Sequence, residues 1–423
     1  MPHRTRPTLL LTPFVLVVLG ACGDVPAPSA PAAQPEPRFA AQPVKGVWTV
    51  TTLDDPAAGS CTSSSCSLRQ AVAAAQSGER VVFKSSVKGT VALAGSIQLG
   101  KPLHVDGGGR ITLDAQGNDI VLSVFSQGVD VSGFTLTGGT LGAINVLPGG
   151  FLTLRASTVT GNRSTIGGGG IRSLGTLTVI NSSITDNTTT NDGGGIWSNG
   201  GTLTVVGSTI AGNSSGNYGG GVYVTSTGNA SIASSTVSGN SASFVGGGIY
   251  SFAASATLRN SAIVHNTAPG QGGGLAVTAP DAEIANLVLA NSIVAGNGAS
   301  DCYTETPLTA AIKSVGHTLS TTGDLGCFGL YPASASGTDV MVDPAVFHSE
   351  VLDVQLANNG GPTRTHALIE RGRAVDAGSC PGTVADQRGL TRPYDDSRIP
   401  NAWDACDIGP VEWLPPATPG RRK

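Results

Sequence analysis

Acid–base chemistry has few candidate residues in the centre of this chain. Residues 193–258 contain no Asp, Glu, Lys or Arg, and the nearest carboxylates before them are Asp186 and Asp192. Glycoside hydrolysis needs two carboxylates roughly 5–9.5 Å apart, and acid–base catalysis needs titratable groups within reach of each other. We therefore expect Asp186 and Asp192 to be solvated turn residues and His265 to be a surface histidine, and no catalytic residue is predicted.

A second candidate site consists of bulky side chains at one repeated position. They follow four Gly-Gly-Gly-apolar segments and are Arg172, Trp197, Tyr223 and Tyr250. In a strand such a residue points away from the buried apolar one, so we expect the four side chains to stack on the outside of the protein. Two interpretations stay open. The stack binds a glycan through its rings, with a cation–π contribution from Arg172, or it is an aromatic ladder that only stabilises the sheet.

A third group of candidates lies near the C-terminus, where charged side chains are dense. Its members are Asp376, Asp386, Arg388, Arg392, Asp395, Asp396, Asp404 and Asp407. Structural ion pairs within a disulfide-bound cap are the favoured explanation, with Ca²⁺ ligation by oxygen atoms and catalysis as the alternatives. No EF-hand spacing is present, and neither a metal site nor a cofactor is predicted.

An internal repeat determines the elements that position these residues. The apolar residues that end the glycine triplets recur every 25 to 27 positions, at Ile171, Ile196, Val222, Ile249 and Leu275. A second marker keeps step with the first: an Asn three positions after a β-branched residue, at Asn162, Asn187, Asn213, Asn240, Asn266 and Asn297. Each unit has room for short strands and none for a helix. Stacked in parallel, such strands predict an all-β, single-stranded parallel β-helix, right-handed by the crossover preference.

The repeated Asn residues are predicted to be structural. A turn between two strands often needs the left-handed conformation, which Asn tolerates and Gly prefers. Gly139 stands at the equivalent place in an earlier, degenerate copy of the repeat. Stacked Asn amides are also expected to hydrogen-bond from coil to coil.

The open N-terminal end of such a solenoid needs a cap. Ser67 and Gln70 have the spacing of a capping box, and Leu68, Ala71, Val72 and Ala75 form one apolar face at helical spacing. Gly78 can end the helix. We expect a short amphipathic helix over a first coil that begins near Val81.

Several segments resemble bacterial surface proteins. Residues 66–72, Cys-Ser-Leu-Arg-Gln-Ala-Val, resemble the CSLREA motif, with Gln70 where Glu is usual, and the repeats look like polymorphic outer membrane protein repeats. Residues 359–368, 375–378, 386–389 and 406–409 resemble the choice-of-anchor Q module, although Gly409-Pro410-Val411-Glu412 departs from its usual Gly-Ala-x-Glu ending. The resemblance covers about residues 47–412. It implies a β-helix displayed at the cell surface and no established activity.

The N-terminal segment has the pattern of an export signal. Basic residues precede an apolar run from Thr8 to Val18, and Leu19-Gly20-Ala21-Cys22 resembles the lipobox of bacterial lipoproteins. We expect residues 1–21 to be a signal peptide, Cys22 to carry the lipid, and residues 22–46 to form a Pro/Ala-rich tether. A secretory signal that happens to contain Cys is the alternative. The predicted location is the outer membrane or cell surface.

The six cysteines that remain after Cys22 form an even set in an exported chain, which favours disulfides. Proximity in sequence suggests Cys61–Cys66, Cys302–Cys327 and Cys380–Cys406. Metal binding is the alternative, but no His stands near any pair at ligand spacing.

Composition limits the function classes. Glycine makes up 60 of 423 residues, charged residues are 12%, and the formal net charge of −4 argues against nucleic acid as a partner. We divide the chain into an N-terminal cap (47–80), a β-helix (81–347), a C-terminal cap (348–414) and a disordered tail (415–423). The predicted function is non-enzymatic: adhesion, glycan binding or a structural surface role, with the membrane and a polysaccharide or another surface component as partners. The alternative is a carbohydrate-active enzyme, a polysaccharide lyase or glycoside hydrolase, and carboxylates facing a groove would favour it.

Overall fold

The computed structural model describes residues 46–415, apart from 57–58, 226–227, 280–284, 306–309, 322–326, 328–336 and 384. Residues 1–45, which include Cys22 and its lipobox, and the tail 416–423 lie outside the described residues. Within the described part, short strands follow one another along the chain, and most pair in parallel with the equivalent strand of the next coil. The chain is therefore a parallel β-helix, as the repeat predicts.

The strands form four columns along the axis, named A to D in the order in which the chain visits them. Column A contains Val47–Val50, Glu79–Phe83, Phe151–Arg155, Thr176–Ile180, Thr202–Val206, Asn229–Ala233, Ser255–Arg259, Ala285–Ala290 and Ala310–Ser314. Column B contains Gly89–Ala92, Thr158–Thr160, Ser183–Thr185, Thr209–Ala211, Thr236–Ser238, Ala262–Val264, Ile293–Ala295, Leu319–Thr321 and Val340–Val342. Two long strands, Leu103–Asp114 and Val129–Thr137, run through both A and B.

Columns C and D complete each coil. Column C contains Arg163–Ser164, Thr188–Thr189, Ser214–Ser215 and Ser241–Ala242. Column D contains Ile97–Leu99, Leu122–Val124, Ile144–Val146, Ile171–Ser173, Ile196–Asn199, Val222–Thr225, Ile249–Phe252, Leu275–Thr278 and Cys302–Thr304. Aliphatic side chains point inward from these strands and form one continuous core. The triplet glycines let coils approach closely: a β-carbon on Gly195 would lie 2.6 Å from the carbonyl oxygen of Gly221.

The repeated Asn residues form a buried ladder between columns B and C. The backbone N–H and the amide Nδ2 of Asn187 both donate to Oδ1 of Asn213, each at 3.0 Å, and Nδ2 of Asn213 donates to the carbonyl oxygen of Ile184 at 2.9 Å. The ladder ends at Asp301, whose Oδ1 accepts from the backbone N–H and the side chain of Asn297. The predicted coil-to-coil amide bonds are confirmed.

The predicted backbone conformation of these Asn residues was wrong. The left-handed residue is the one before each Asn: Gly161, Asp186, Gly212, Gly239, His265 and Gly296 all have φ between 56° and 66°. The amide must point into the stack to reach the next coil, so the change of chain direction falls on the preceding residue. We call these six positions the corner column.

A short helix, Leu68–Ala74, closes the N-terminal end of the core. Gln70 N–H donates to Ser67 Oγ at 3.2 Å and Ser67 N–H donates to Gln70 Oε1 at 3.0 Å, so the capping box is confirmed. The helix ends at Ala74, before Gly78. The parallel ladder also starts earlier than Val81, because Val47–Val50 already pairs with the strand that follows the helix. No described helix has both the length and the apolar character needed to span a membrane.

We call the C-terminal segment, residues 343–415, the flank module because its described contacts lie along the side of several coils. It packs beside column B and hydrogen-bonds at Ser208, Thr236 and Asn291, residues of separate coils. Its regular elements are a 3₁₀ turn, Pro344–Val346, and a helical turn, Phe347–Glu350. The outer face of column B is apolar in its last coils, at Ala262, Val264, Ile293, Ala295 and Leu319, and these side chains share a core with the module.

All three predicted disulfides are present: Cys61–Cys66, Cys302–Cys327 and Cys380–Cys406. The first lies beside the N-terminal helix, and the last joins two segments of the flank module that meet at an isolated bridge between Gly378 and Cys406. Cys327 belongs to the buried core, so the second bridge ties a later segment to the last strand of column D.

Candidate functional site

The repeated bulky residues stack in register on the outer face of column D. Arg172 pairs with Trp197, Trp197 with Tyr223, and Tyr223 with Tyr250. These residues form a cluster separate from the main core, so the predicted outward direction is correct. The predicted exposure is wrong for two of them, since Tyr223 and Tyr250 are only 9% and 4% exposed.

Loops between columns C and D cover the two tyrosines. The ring of Tyr218 stacks on Tyr250 with centroids 5.0 Å apart, and Tyr223 stacks on Tyr250 at 5.3 Å. Phe244, from the next loop, lies 5.5 Å from Tyr218. Burial raises the pKa of Tyr223 to about 12. Tyr223 and Tyr250 therefore form an aromatic ladder that stabilises the sheet. A ligand on this face must contact other rings.

Three partly or fully exposed rings on adjacent coils of this face are Trp197, Tyr218 and Phe244, which we call the aromatic shelf. Trp197 and Tyr218 are half-buried and Phe244 is 53% exposed. The Arg172 guanidinium lies 5.0 Å from the centroid of Trp197. The buried ring of Tyr250 supports Tyr218, which in turn contacts Phe244. Sequence periodicity could not find Tyr218 and Phe244 because they stand in loops outside the repeated strand position.

One carboxylate lies beside the shelf. Asp192 is half-buried and accepts a hydrogen bond from Tyr218 N–H at 3.3 Å, and its burial raises its pKa. Other described carboxylates on this face are farther from Asp192. Asp119 stands in the equivalent loop three coils earlier, about 14 Å along the axis, and Glu305, which accepts from Thr278 Oγ1, stands four coils later, about 19 Å along the axis. Asp186 is at the corner column, on the other side of column C. Among the described residues, no two carboxylates on this face have the spacing that sugar hydrolysis needs.

Several charged residues of the flank module form buried ion pairs. Arg392 and Glu412 lie 3.1 Å apart with fully buried side chains, and Arg388 binds Asp386 at 2.6 Å. Burial, with the nearby Glu412 carboxylate, raises the pKa of Asp407 to about 8. Asp407 accepts hydrogen bonds from the backbone N–H groups of Asp376 and Trp413. The predicted structural ion pairs are present and hold Asp386 and Glu412 inward, whereas Asp395 and Asp404 are exposed.

Three residues whose side chains could ligate a metal lie close together in the same module. They are Cys380, Asp404 and Cys406. The two sulfur atoms are bonded to each other, so neither is available as a thiolate ligand. The Asp404 carboxylate accepts from Ser379 Oγ at 3.1 Å. These residues form a disulfide-linked turn.

His265 is not a surface histidine. It lies between column B and the flank module, with its ring centroid 5.0 Å from those of His348 and His366. Burial, together with the two neighbouring histidines, lowers the pKa of His265 to about 4. Its Nε2 atom is buried and has no hydrogen-bond partner.

A serine–histidine pair lies close to this cluster. His366 Nδ1 must donate to the Asp353 carbonyl oxygen (2.9 Å), so Nε2 accepts from Ser238 Oγ (2.8 Å). Acyl transfer would also require donors for the oxyanion. The nearby backbone N–H groups of Gly212 and Gly239 are both used in coil-to-coil bonds. The pair therefore joins the module to column B, as the contacts of Thr236 and Thr209 with Gln387 also do.

Comparison with known proteins supports the fold. Residues 119–311 match the family model described as a right handed beta helix region. The fold is a right-handed parallel β-helix. Among solved structures, the chain is similar to the crystal structure of pectate lyase Pel9A, with 16% sequence identity and a TM-score of 0.44. The similarity covers 88% of this chain and 97% of that chain. A search of curated proteins found no match. At this level of similarity, the match to the lyase says nothing about the chemistry of this chain.

Proposed function

We propose that this protein is an exported, lipid-anchored β-helix that binds a glycan on the aromatic shelf without cleaving it. The observation that carries the proposal is the arrangement of Trp197, Tyr218 and Phe244, three accessible rings on adjacent coils. Sugar rings present C–H faces that pack on aromatic faces, and rings fixed in advance lose little conformational freedom on binding. Arg172 beside Trp197 adds a donor at the edge of the shelf.

The distribution of carboxylates supports binding over catalysis. Asp192 is the one carboxylate beside the shelf among the described residues of the central coils, and it is hydrogen-bonded to a backbone N–H. In the flank module, Asp386 and Glu412 are buried in ion pairs with Arg388 and Arg392. A hydrolase needs an acid and a second carboxylate placed across the bond that breaks.

The sequence supports the membrane anchor. Cys22 follows an apolar run in a lipobox-like segment, and the Pro/Ala-rich residues after it suit a tether. The resemblance to surface β-helix proteins is consistent with display outside the cell. A shelf held away from the membrane would contact extracellular polysaccharide or the glycans of another surface.

Affinity electrophoresis against a panel of polysaccharides tests the proposal. Wild-type protein is expected to be retarded by at least one of them, and the Trp197→Ala/Phe244→Ala double variant should lose at least ten-fold in affinity. Trp403→Ala removes a ring that is 69% exposed on the flank module and serves as the matched control. Absence of retardation by every polysaccharide, or equal retardation of the double variant, would refute shelf binding.

A further inference from the structure

An open groove of about 490 Å³ lies between the corner column and the flank module. This volume is within the range of small-molecule sites, roughly 300–1,000 Å³. Asp186, Gly212, Gly239 and His265 follow one another along its floor, one per coil, so the floor is about 14 Å long. The groove lies on the opposite side of column C from the aromatic shelf.

The two central glycines make the floor of the groove. A β-carbon on Gly239 would have no atom within 4 Å, so the space above this residue is open. The left-handed backbone does not itself demand glycine here, because Asp186 (φ 56°) and His265 (φ 58°) adopt it in the same column. At Gly212 the Asp186 carboxylate already lies over the backbone, with Oδ1 2.6 Å from where a β-carbon would stand. The open trough is therefore over Gly239, between this carboxylate and the His265 imidazole.

Unpaired polar groups converge on this trough. Among the described residues, the side chains of Asp186, Arg364 and His265 have no hydrogen bond or ion pair, and His265 Nε2 is buried as well. Of these groups only His265 Nε2 is a buried atom without a partner, which costs free energy, whereas the Asp186 and Arg364 side chains are exposed and present their charges to a ligand in the groove. The wall adds apolar surface from Val354, which is 51% exposed, and from Leu356.

We infer that this groove is a second binding site, which holds a saccharide of one or two rings. A carboxylate acceptor, a guanidinium donor and an imidazole match hydroxyl groups, which both donate and accept. The glycine floor and the Val354 side chain match the C–H face of a sugar ring. The site is independent of the aromatic shelf and remains if the shelf binds nothing.

The test uses the full chain in detergent and four disaccharides as probes: maltose, cellobiose, chitobiose and digalacturonate. Isothermal titration calorimetry compares wild type with Gly239→Asn, which fills the trough with a residue that tolerates the left-handed backbone. Gly161→Asn is the matched control, since Gly161 is in the same column (φ 66°) and outside the groove. Arg364→Ala is a second variant, whose exposed side chain can be removed without changing the coils.

We expect at least one disaccharide to bind, with affinity at least ten-fold weaker in Gly239→Asn and Arg364→Ala and unchanged in Gly161→Asn. If Gly239→Asn does not fold, Arg364→Ala decides alone. The inference is overturned if no disaccharide binds wild type, if the groove variants bind as well as wild type, or if Gly161→Asn is weakened equally. Binding lost only in Trp197→Ala would assign the disaccharide to the shelf. That result would support the proposed function and overturn the inference that the groove binds a saccharide.

Discussion

At the scale of single residues, Asn213 shows how a polar side chain stabilises the interior of this fold. Its Oδ1 accepts two bonds from Asn187, and its Nδ2 donates to Asn240 and Ile184. Asn213→Ala leaves buried backbone groups without partners, at roughly 1–3 kcal/mol each. We expect the free energy of unfolding in urea to fall by about 3 kcal/mol.

The matched control for this prediction is Asn229→Ala. Asn229 is exposed on a column A strand of a neighbouring coil, and exposed substitutions usually change stability by less than about 0.5 kcal/mol. Equal losses in the two variants would show that the ladder adds nothing beyond ordinary strand packing.

His265 makes stability depend on pH. Burial and the neighbouring His366 and His348 lower its pKa to about 4, below the value of about 6.5 in an unfolded chain. The unfolded chain therefore binds more protons between these values, so stability is complete above pH 6.5 and is lost as pH falls toward 4. We expect the thermal midpoint to decrease over this window.

His265→Asn, which keeps the left-handed backbone, should make this pH profile less steep; His366, whose pKa is also lowered by burial, accounts for a remaining slope. His104→Asn changes a histidine of an early coil and should leave the profile as in wild type. A profile that stays equally steep in His265→Asn would contradict the assignment.

At the scale of elements, Gln387 joins the flank module to column B. Its side chain is 1% exposed, accepts from Thr236 Oγ1 at 2.7 Å, and donates to Ser208 and Thr363. Gln387→Ala should accelerate amide hydrogen exchange in residues 358–368 by at least ten-fold while coils before residue 180 keep their protection. Gln355→Ala, an exposed change on the same module, should have no such effect. Uniform acceleration along the chain would mean that module and coils open together.

Some elements of the fold could be predicted from the sequence and others could not, and the reason is the distance along the chain between the residues in contact. Strand columns, register, capping box and disulfides follow from local spacing, since each coil repeats the same contacts. The position of the flank module does not, because its contacts join residues such as Thr236 and Gln387, which are 151 positions apart. The burial of Tyr223 and Tyr250 was missed for a related reason: Tyr218 and Phe244 come from loops that the repeat does not specify. His366 and Arg364 could be placed in the groove only once the module was placed.

At the scale of the whole molecule, the proposed anchor predicts where the protein is found. Cys22→Ser should move the protein from the membrane fraction to the soluble fraction, or block its maturation, because no acyl chain is attached. Immunoblots of cell fractions measure this change, and Cys61→Ser, which removes a cysteine of the N-terminal disulfide, is the control. Retention of the Cys22→Ser protein in the membrane, with a mature N-terminus elsewhere, would contradict lipid anchoring.

Binding without cleavage is the central claim, and one measurement tests it most directly. A polysaccharide retained by wild-type protein is incubated with it for many hours, and new reducing ends and unsaturated ends are counted against a heat-inactivated sample. We predict no new chain ends, together with loss of retention in the Trp197→Ala/Phe244→Ala variant. Chain ends that accumulate with wild type and disappear with Asp186→Asn or Asp192→Asn would show that the protein is an enzyme and contradict the account.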